Sequence, residues 1–473
     1  MERNADVVVI GGGGAGMSAA LFASSAGASV TLLEADSKLG GATALSDAVI
    51  YAAGTSVQRR LGIADSADAM YFYIMTLNAW QTRPDIIRIL SDRSSEAIEW
   101  AMQLGVGFDW VAESGVDGVA RGHCTNGGGA ALCAALAAEM ARHDIEVCLG
   151  VRAERLLTEG GAVTGVHADG VDYRAKAVVV TTGGFGNSPE MRARHFPTAA
   201  QHGSWVYAVH HNAPFILGDG IKLGEAVGAA ISGHDTGLLN PSANLVPFVI
   251  EAYLPDWIMV VNDYGRRFMP ENISYAVSGY LMNQQPNAHA WAVFSESALV
   301  AGTEAGRELT PYRSGLLSET WNAGRIRGEA ENGRVRKAGS LAELAEITGT
   351  DGLGLEATVE RYNAACREGT DREWSKQMRP EFVIDGPPYY AIELKASSIG
   401  QTSAGLTIDA DGRVQDAHGR PIAGLYAAGE TLGCVQGRRY AGGGMGIASA
   451  LVFGRLAGEE AGKFAKGGSA QEV

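Results

Sequence analysis

The N-terminal segment from Asp6 to Glu34 constrains the fold more than any other part of the sequence. It reads as an apolar strand ending at Ile10, a turn with the spacing GxGxxG, a helix of small residues and a second strand ending in Glu34. Such glycines allow a pyrophosphate to approach the helix N-terminus, where free N–H groups and the helix dipole favour anions. Glu34 follows about 20 residues later, where it can accept hydrogen bonds from a ribose. The segment predicts a Rossmann-like dinucleotide site whose contacts are Gly11, Gly13, Gly14, Ala15, Gly16 and Glu34.

Length and charge limit the classes of protein to which the chain can belong. Its 473 residues are 46% hydrophobic, enough for a large buried core, and we expect two domains. The 53 acidic residues outnumber the 38 basic ones, which gives a formal net charge of −15. Because this charge repels phosphate backbones and anionic membrane surfaces, we expect neither nucleic acid nor a membrane as a partner.

The cysteines and the apolar runs bear on the location of the protein. The cysteines show no CxxC spacing and are Cys124, Cys133, Cys148, Cys366 and Cys434. This spacing supports neither a disulfide framework nor a zinc site, so we predict reduced thiols and no metal. The opening residues do not read as a secretory signal, and no run reaches the ~20 apolar residues of a membrane helix. We expect a cytoplasmic protein.

Four further segments favour FAD over NAD as the dinucleotide. The small-residue run SKLGGATALSDAVIYAAGTS follows Glu34 and looks like the segment that lies along the flavin in FAD-dependent oxidoreductases. The strand ending in TTGG and the segment GLYAAGE resemble flavoprotein signatures, and a helix beginning at GGGMGI would aim its N-terminus at the flavin. We predict non-covalent FAD. The further predicted contacts are Gly41, Ala42, Thr43, Ser46, Asp47, Thr182, Gly183, Gly184, Gly429, Glu430, Gly446 and Ile447.

Together these segments resemble the fumarate reductase and 3-ketosteroid dehydrogenase family of flavoproteins. The resemblance extends over nearly the whole chain and includes GDGIKLGEAVGAA, VNDYGRRFMPE, LEATVERYNAACREGTD and PPYYAIEL. It implies an α/β fold of the glutathione-reductase type, in which a Rossmann-like FAD-binding domain carries an inserted α+β capping domain. We expect the FAD-binding domain at 1–239 and 387–473 and the capping domain at 240–386.

Fumarate reductases of this family handle a dicarboxylate with histidine and arginine side chains. The matching residues here are Asn240, Tyr275, Gln401 and Tyr440. All four lack charge, and a dianion buried without cationic partners costs several kcal/mol per charge. The pattern therefore argues against a dicarboxylate substrate. Arg438 and Arg439 are nevertheless near enough in sequence to replace the missing substrate-binding arginine.

The 3-ketosteroid dehydrogenase branch matches better. Its two tyrosines are similar to Tyr275 in ENISY and to Tyr440, which precedes Gly444 in YAGGG. The resemblance implies that the Tyr440 hydroxyl and the Gly444 N–H donate hydrogen bonds to a ketone oxygen and stabilise enolate charge. It also implies that Tyr275 removes the α-proton while flavin N5 accepts hydride from the β-carbon. Because an unperturbed tyrosine has a pKa near ~10, Tyr275 needs an assisting residue, which stays open.

These arguments predict an FAD oxidoreductase that introduces or reduces a C=C bond α,β to a ketone. The expected substrate is a cyclic ketone or enone, such as a 3-ketosteroid or a smaller oxocyclohexane compound, and a separate carrier or O2 exchanges the electrons. Direction and ring size stay open. Two alternatives remain: a fumarate-type reductase of an unsaturated acid, and a flavin-containing electron-transfer subunit without its own substrate. His123 is a further candidate for flavin or substrate contact, weighed against a structural role.

Overall fold

The computed structural model describes residues 1–249, 251, 253–304, 319–433 and 435–467, so Cys434 lies outside the described residues. The strands β1 to β21 are, in chain order, Glu2–Ile10, Val30–Glu34, Val49–Tyr51, Phe108–Glu113, Ala120–Thr125, Ile145–Leu149, Ala153–Glu159, Ala162–Ala168, Val171–Val180, Tyr207–Ala208, Ile231–Ser232, Gly237–Ser242, Met259–Val261, His289–Ser295, Arg336–Ala338, Thr370–Asp371, Lys376–Gln377, Tyr389–Thr402, Gly405–Leu406, Arg413–Gln415 and Pro421–Ala427. The helices α1 to α15 are Gly14–Ser25, Gly41–Leu45, Ser56–Arg60, Ala67–Leu77, Pro84–Gln103, Gly128–Met140, Pro189–His195, Pro197–Ala200, Asp219–Ala226, Tyr275–Asn283, Glu296–Glu304, Ala323–Glu331, Leu341–Thr348, Gly352–Glu368 and Met445–Ala465.

The chain divides into two compact units. The first comprises residues 1–197, 210–238 and 401–473, and the second comprises residues 198–209 and 239–400. The second unit thus includes a short segment before the insertion and continues to the end of the β18 region. The domain boundaries at 240 and 386 stay a prediction.

A largely parallel sheet forms the centre of the first unit. Its strand order is β20-β21-β9-β1-β2-β6. From β21 to β6 each neighbouring pair is parallel, while β7, β8 and β9 form an antiparallel meander. Residues 7–9 and 177–180 are fully buried, as expected for strands covered on both faces. The carboxyl ends of β21, β9, β1 and β2 therefore lie side by side at one edge.

Helices α1 and α15 pack together through small residues. A Cβ atom added at Gly454 would lie 2.6 Å from the carbonyl oxygen of Ala15. A Cβ atom added at Gly458 would lie 2.3 Å from the carbonyl oxygen of Ala19. Residues four apart share one face of a helix, so these glycines let the two backbones touch. Since both residue numbers rise together, the helices run parallel and begin at the same end.

The second unit is built on the long strand β18. Its sheet has the order β10-β18-β14-β13, and β12 and β15 also pair with β18. A buried ion cluster packs in the same unit: Glu271 accepts hydrogen bonds from Arg267 at 2.8 Å and from Lys376 at 2.7 Å. Because these charges pair inside the protein, their mutual attraction offsets the cost of removing them from water.

Two findings concern the chain as a whole. Within the residues that the structure describes, no helix is long and apolar enough to cross a membrane. The described cysteines, Cys124, Cys133, Cys148 and Cys366, are free thiols. Burial raises the pKa of Cys133 to about 12, which keeps its thiol protonated and unreactive at neutral pH.

Candidate functional site

The turn between β1 and α1, residues 11–16, has the geometry of a dinucleotide cradle. Gly11 has a φ of 103°, a conformation that glycine adopts without strain. A Cβ atom at Gly16 would lie 1.7 Å from the carbonyl oxygen of Gly11, so glycine allows α1 to pack against the turn. At Gly13 the nearest atom is 3.9 Å away, at Gly40. Gly13 thus leaves open space at the start of α1, where a pyrophosphate can approach. We call residues 11–16 the dinucleotide turn.

Glu34 ends β2 beside this turn. The side chain is buried, and its carboxylate accepts hydrogen bonds from the N–H of Gly12 at 2.5 Å and from the N–H of Asp36 at 2.7 Å. Two backbone donors thus fix the carboxylate against the dinucleotide turn. This placement agrees with a role as acceptor for ribose hydroxyls, since the carboxylate keeps further lone pairs.

The segment 41–47 lies next to the dinucleotide turn. The hydroxyl of Thr43 accepts a hydrogen bond from the N–H of Gly14 at 3.2 Å, and a Cβ at Gly41 would lie 3.5 Å from the Cα of Gly13. The hydroxyl of Ser46 donates to the carbonyl of Thr43 at 2.8 Å. The remaining predicted contacts here are the half-buried Ala42 and the exposed Asp47.

The ends of β9 and β21 bring Thr182, Gly183, Gly184, Gly429 and Glu430 to the same edge of the sheet. The hydroxyl of Thr431 donates to the carbonyl of Gly183 at 3.1 Å, which links the two strand ends. Glu430 accepts from both the N–H and the hydroxyl of Thr402, each at 2.8 Å. Burial of its carboxyl raises the pKa of Glu430. A Cβ at Gly184 would lie 2.3 Å from that carboxyl, so the position requires glycine.

Residues from four adjacent strand ends thus surround one edge of a parallel sheet, where open α/β sheets bind their ligands. The open approach at Gly13 and the buried carboxylate of Glu34 both fit FAD. Among the described residues, no group of histidine, cysteine, aspartate or glutamate side chains is suited to holding a metal ion.

The N-terminus of α15 carries the predicted substrate contacts of the first unit. Gly444 is the N-cap, with a φ of 104°, and its carbonyl accepts from the N–H of Tyr51 at 3.2 Å. A Cβ at Gly444 would lie 2.7 Å from that nitrogen, so the position admits glycine alone. Tyr440 is buried, and its hydroxyl oxygen accepts from the N–H of Gly446 at 3.3 Å. The oxygen of Tyr440 therefore lies where helix dipole and backbone donors stabilise negative charge.

The electrostatics of Tyr440 favour its protonated form. Burial raises the pKa of Tyr440 to about 12, and the backbone N–H groups of Gly446, Met445 and Gly444 act in the opposite direction. Gln401 lies beside the same turn, with its side-chain oxygen 3.0 Å from the Cβ position of Gly446. Ile447 follows in the helix and is half-buried.

Tyr275 and Asn240 belong to the second unit. Tyr275 is the first residue of α10, after the N-cap Ser274, and its ring meets the Tyr253 ring edge to face at 5.5 Å. Asn240 is buried on β12, and its side-chain oxygen has no hydrogen-bond partner within the described parts of the chain. Their joint action with Tyr440 stays a prediction.

The remaining candidates for substrate contact are Arg438, Arg439 and His123. The guanidinium of Arg439 donates to the carbonyl of Leu77 at 2.8 Å, while Arg438 is exposed. His123 is buried, with one ring nitrogen 2.8 Å from the hydroxyl of Thr55 and the other 2.9 Å from the carbonyl of Arg121. Burial lowers the pKa of His123. These contacts describe a neutral, structural histidine.

Sequence reasoning missed the residues that hold the segment before α15. The side chains of Tyr73, Asn78 and Ser114 form hydrogen bonds with the backbone of residues 439–443. Between 329 and 368 residues separate these partners along the chain, so local patterns contain no signal for the pairing.

Comparisons with known proteins agree with this arrangement. The sequence profile of the FAD binding domain family matches residues 6–447. The chain is 30% identical to a fumarate reductase (cytochrome) of Shewanella frigidimarina, over 98% of this chain and 77% of that protein. It is 26% identical to a 3-oxosteroid 1-dehydrogenase of Mycobacterium tuberculosis, over 96% of this chain and 97% of that protein.

A solved structure of a ketosteroid dehydrogenase superposes over nearly the full length of the chain. It is a 3-ketosteroid-Δ4-(5α)-dehydrogenase from Rhodococcus jostii RHA1 in complex with 4-androstene-3,17-dione, with a TM-score of 0.77 and 26% identity over 98% of this chain and 97% of that one. These likenesses confirm the predicted fold class and FAD as the cofactor. The chain belongs to the FAD binding domain family and is an FAD-dependent oxidoreductase acting on CH–CH or C=C bonds.

Proposed function

We propose that the protein introduces or reduces a C=C bond α,β to the ketone of a cyclic substrate, such as a 3-ketosteroid or a smaller oxocyclohexane compound. The observation that carries the proposal is the buried Tyr440 before α15, whose hydroxyl oxygen accepts the N–H of Gly446 and whose pKa is raised to about 12 by burial. A neutral phenol is suited to donating a hydrogen bond to a ketone oxygen, and it cannot neutralise a carboxylate as an arginine would.

The surroundings of Tyr440 define how it acts. Its oxygen accepts the N–H of Gly446, so its own proton is available for a ligand. Accepting one hydrogen bond strengthens the next one donated, because the two polarise each other in a site of low dielectric constant. The N–H of Gly444 is the second donor to the ketone oxygen. Together the pair stabilises the charge that grows on that oxygen as the α-proton leaves.

Tyr275 is the proposed base for that proton. Tyr275 is the first residue of α10, after the N-cap Ser274, and its ring packs edge to face against the Tyr253 ring at 5.5 Å. Bound FAD supplies a two-electron acceptor or donor for hydride at the β-carbon. The dinucleotide turn, Glu34, Gly429 and Glu430 would hold the cofactor.

A fumarate-type reductase is the second candidate, supported by the 30% identity to the Shewanella protein. Against it, Tyr275, Gln401 and Tyr440 carry no positive charge, and one nitrogen of the Arg439 guanidinium donates to the carbonyl of Leu77. A binding site for a dianion would then rest on Arg438 and on the remaining donors of Arg439. A subunit that only passes electrons is the third candidate, and it predicts a flavin that no small ketone or acid reduces or reoxidises.

The proposal includes two further points. A separate carrier or O2 exchanges electrons with the flavin. The location is the cytoplasm, supported by the free thiols of Cys124, Cys133, Cys148 and Cys366, which fit a reducing compartment. Cell fractionation with an antibody to the protein tests the location, and recovery from an oxidising compartment would refute it.

The test follows flavin absorbance anaerobically with a 3-ketosteroid, 4-oxocyclohexane carboxylate and succinate, and the reverse reaction with fumarate after dithionite reduction. We expect a ketone to bleach the flavin, with a rate at least ~100-fold lower in Tyr440→Phe, because removal of one oxyanion donor costs about 10²–10³ in kcat. Tyr173→Phe is the control, since Tyr173 lies seven residues before the end of β9, about 23 Å from the strand end at ~3.3 Å per residue. Reoxidation by fumarate without any ketone reaction would refute the proposal.

A further inference from the structure

Side chains near the end of α4 hold the backbone on both sides of Tyr440. Asn78, which follows α4 directly, is buried and pairs with the peptide groups of Arg439 through both ends of its amide. Its oxygen accepts the N–H of Arg439 at 2.9 Å, and its nitrogen donates to the carbonyl of Arg439 at 3.1 Å. The residue before Tyr440 therefore has both of its backbone polar groups fixed by one side chain.

Tyr73 fixes the residue after Tyr440. Its hydroxyl donates to the carbonyl of Ala441 at 2.7 Å and accepts the N–H of Val116 at 3.0 Å. Burial raises the pKa of Tyr73 to about 12, so the hydroxyl stays protonated and keeps its donor role. A phenol has one proton to donate, and this proton is committed to Ala441.

A buried arginine fixes the ring of Tyr73. The guanidinium of Arg121 lies 5.2 Å from the centre of that ring, within the range of a cation–π contact. Asp65 binds the same guanidinium at 2.8 Å and 3.0 Å, and Asp117 binds it at 2.6 Å. Arg121 is therefore held by two carboxylates, and it in turn restricts the plane in which the Tyr73 hydroxyl can lie.

The far side of the same loop has its own contacts. Ser114 donates from its hydroxyl to the carbonyl of Gly443 at 3.1 Å, and the N–H of Tyr51 donates to the carbonyl of Gly444 at 3.2 Å. These contacts fix the glycines that lead into α15. The backbone groups of Arg439 and Ala441, the residues on either side of Tyr440, are instead bonded to Asn78 and Tyr73.

We propose that Asn78 and Tyr73 are positioning residues for Tyr440, which set where its hydroxyl meets the substrate. Tyr440 stands between the two fixed residues, so its Cα cannot shift along the loop without breaking a hydrogen bond to α4. The side chain then reaches Gly446 at the start of α15. The inference rests on the proposed function in one respect, since it takes Tyr440 as the residue that contacts the ketone.

Two readouts separate positioning from a merely structural contribution. Tyr73→Phe removes one hydroxyl and keeps the ring under Arg121, and Asn78→Asp keeps the acceptor for Arg439 but loses the donor. Displacement of a reacting group by about 1 Å costs up to ~10²-fold in rate, so we expect kcat to fall about 10- to 100-fold with KM changed less than ~3-fold. In a Tyr440→Phe background, either substitution should change kcat less than twofold.

The matched control is Tyr71→Phe, on the same helix. The Tyr71 ring contacts Trp80 and Arg88, away from the loop, so its variant should retain the activity of the parent holoenzyme. Hydrogen–deuterium exchange of a peptide covering residues 435–446 gives a readout independent of catalysis. We expect faster exchange of this peptide in Tyr73→Phe and Asn78→Asp and no change in Tyr71→Phe.

Each outcome has one meaning. If Tyr440→Phe lowers the rate but Tyr73→Phe and Asn78→Asp leave kcat and loop exchange unchanged, the inference fails and the proposed function stands. The inference is also overturned if Tyr73→Phe lowers kcat by the same factor in the parent and in the Tyr440→Phe background. Tyr73 would then affect the rate independently of Tyr440. If Tyr440→Phe itself has no effect on any substrate, the proposed function fails, and loop exchange alone then decides whether α4 holds the loop.

Discussion

Replacing Gly13 with alanine should weaken FAD binding while leaving the apoprotein folded. Gly13 has a φ of −76° and a ψ of −174°, which alanine adopts readily, and its Cβ would meet no atom closer than 3.9 Å. Loss of the N-cap glycine costs up to about 1 kcal/mol. The reduced freedom of the unfolded chain returns about 0.4–1 kcal/mol. The free energy of unfolding of the apoprotein should therefore change by less than ~1 kcal/mol.

The cost appears when the cofactor binds, because the added methyl group enters the space that the pyrophosphate must approach. Overpacking a close contact costs about 1–3 kcal/mol, and each 1.4 kcal/mol is a factor of ten in Kd, so FAD should bind ~5- to 150-fold more weakly. The assay is fluorescence titration of the apoprotein with FAD, together with urea unfolding of each apoprotein.

Gly16→Ala is the matched control, since its Cβ would lie 1.7 Å from the carbonyl of Gly11 and 2.7 Å from the hydroxyl of Thr181. This clash exists without any ligand, so the variant should lose about 3 kcal/mol of apoprotein stability. A Gly13→Ala variant that binds FAD within twofold of the parent would refute the assignment of this turn to the pyrophosphate. Equal loss of apoprotein stability in both variants would refute the claim that a Cβ atom fits at Gly13 but clashes at Gly16.

Two further predictions concern stability. Burial lowers the pKa of His123, His195, His202 and His210 from the usual 6.5. The unfolded chain then binds protons that the native state does not, so the free energy of unfolding should fall as pH decreases below 6.5. His289, whose pKa is raised by Glu393, opposes this effect in part. Urea midpoints at pH 7.5 and 5.5 test the prediction, and a higher midpoint at pH 5.5 would contradict it. Gly458→Ala should destabilise the protein by about 1–3 kcal/mol because its Cβ would lie 2.3 Å from Ala19. The control Gly328→Ala, where a Cβ meets nothing within 4 Å, should instead stabilise α12 by up to ~1 kcal/mol, and a loss of stability there equal to that of Gly458→Ala would contradict the reasoning.

The dinucleotide turn was predictable from sequence because its function is carried by backbone conformation. Gly11 must adopt a positive φ and Gly16 must lack a Cβ, so the chemistry leaves a local pattern of glycines at fixed spacing. Glu34 was predictable for a related reason. It ends β2, and the carboxyl end of a strand parallel to β1 lies at the same edge of the sheet as the dinucleotide turn. The start of α1 at Gly14 shows the usual limit of prediction from sequence, because a helix can begin within the glycines themselves.

The surroundings of Tyr440 could not be predicted in this way. Tyr73 and Asn78 lie in a segment without a recognisable motif, and their partners are backbone groups, which leave no mark on residue choice at Arg439 or Ala441. The same holds for Glu430, whose carboxyl is expected to contact the cofactor but bonds to Thr402 at the end of β18. Long-range hydrogen bonds to the main chain are specified by the fold, so they become visible only when the fold is known.

The contact between α1 and α15 brings together two glycine clusters that are far apart in sequence. Gly454 contacts Ala15, one residue into α1 but nine residues into α15, so α15 extends about eight residues further in the same direction. At 1.5 Å per residue, this offset is ~12 Å. A cofactor bound with its pyrophosphate at the start of α1 would therefore extend toward the start of α15, where Gly444 and Tyr440 lie. Since the offset is set by glycines that let the helices touch, and the loop by side chains of α4, the first unit alone determines how far the phenol of Tyr440 stands from the dinucleotide turn.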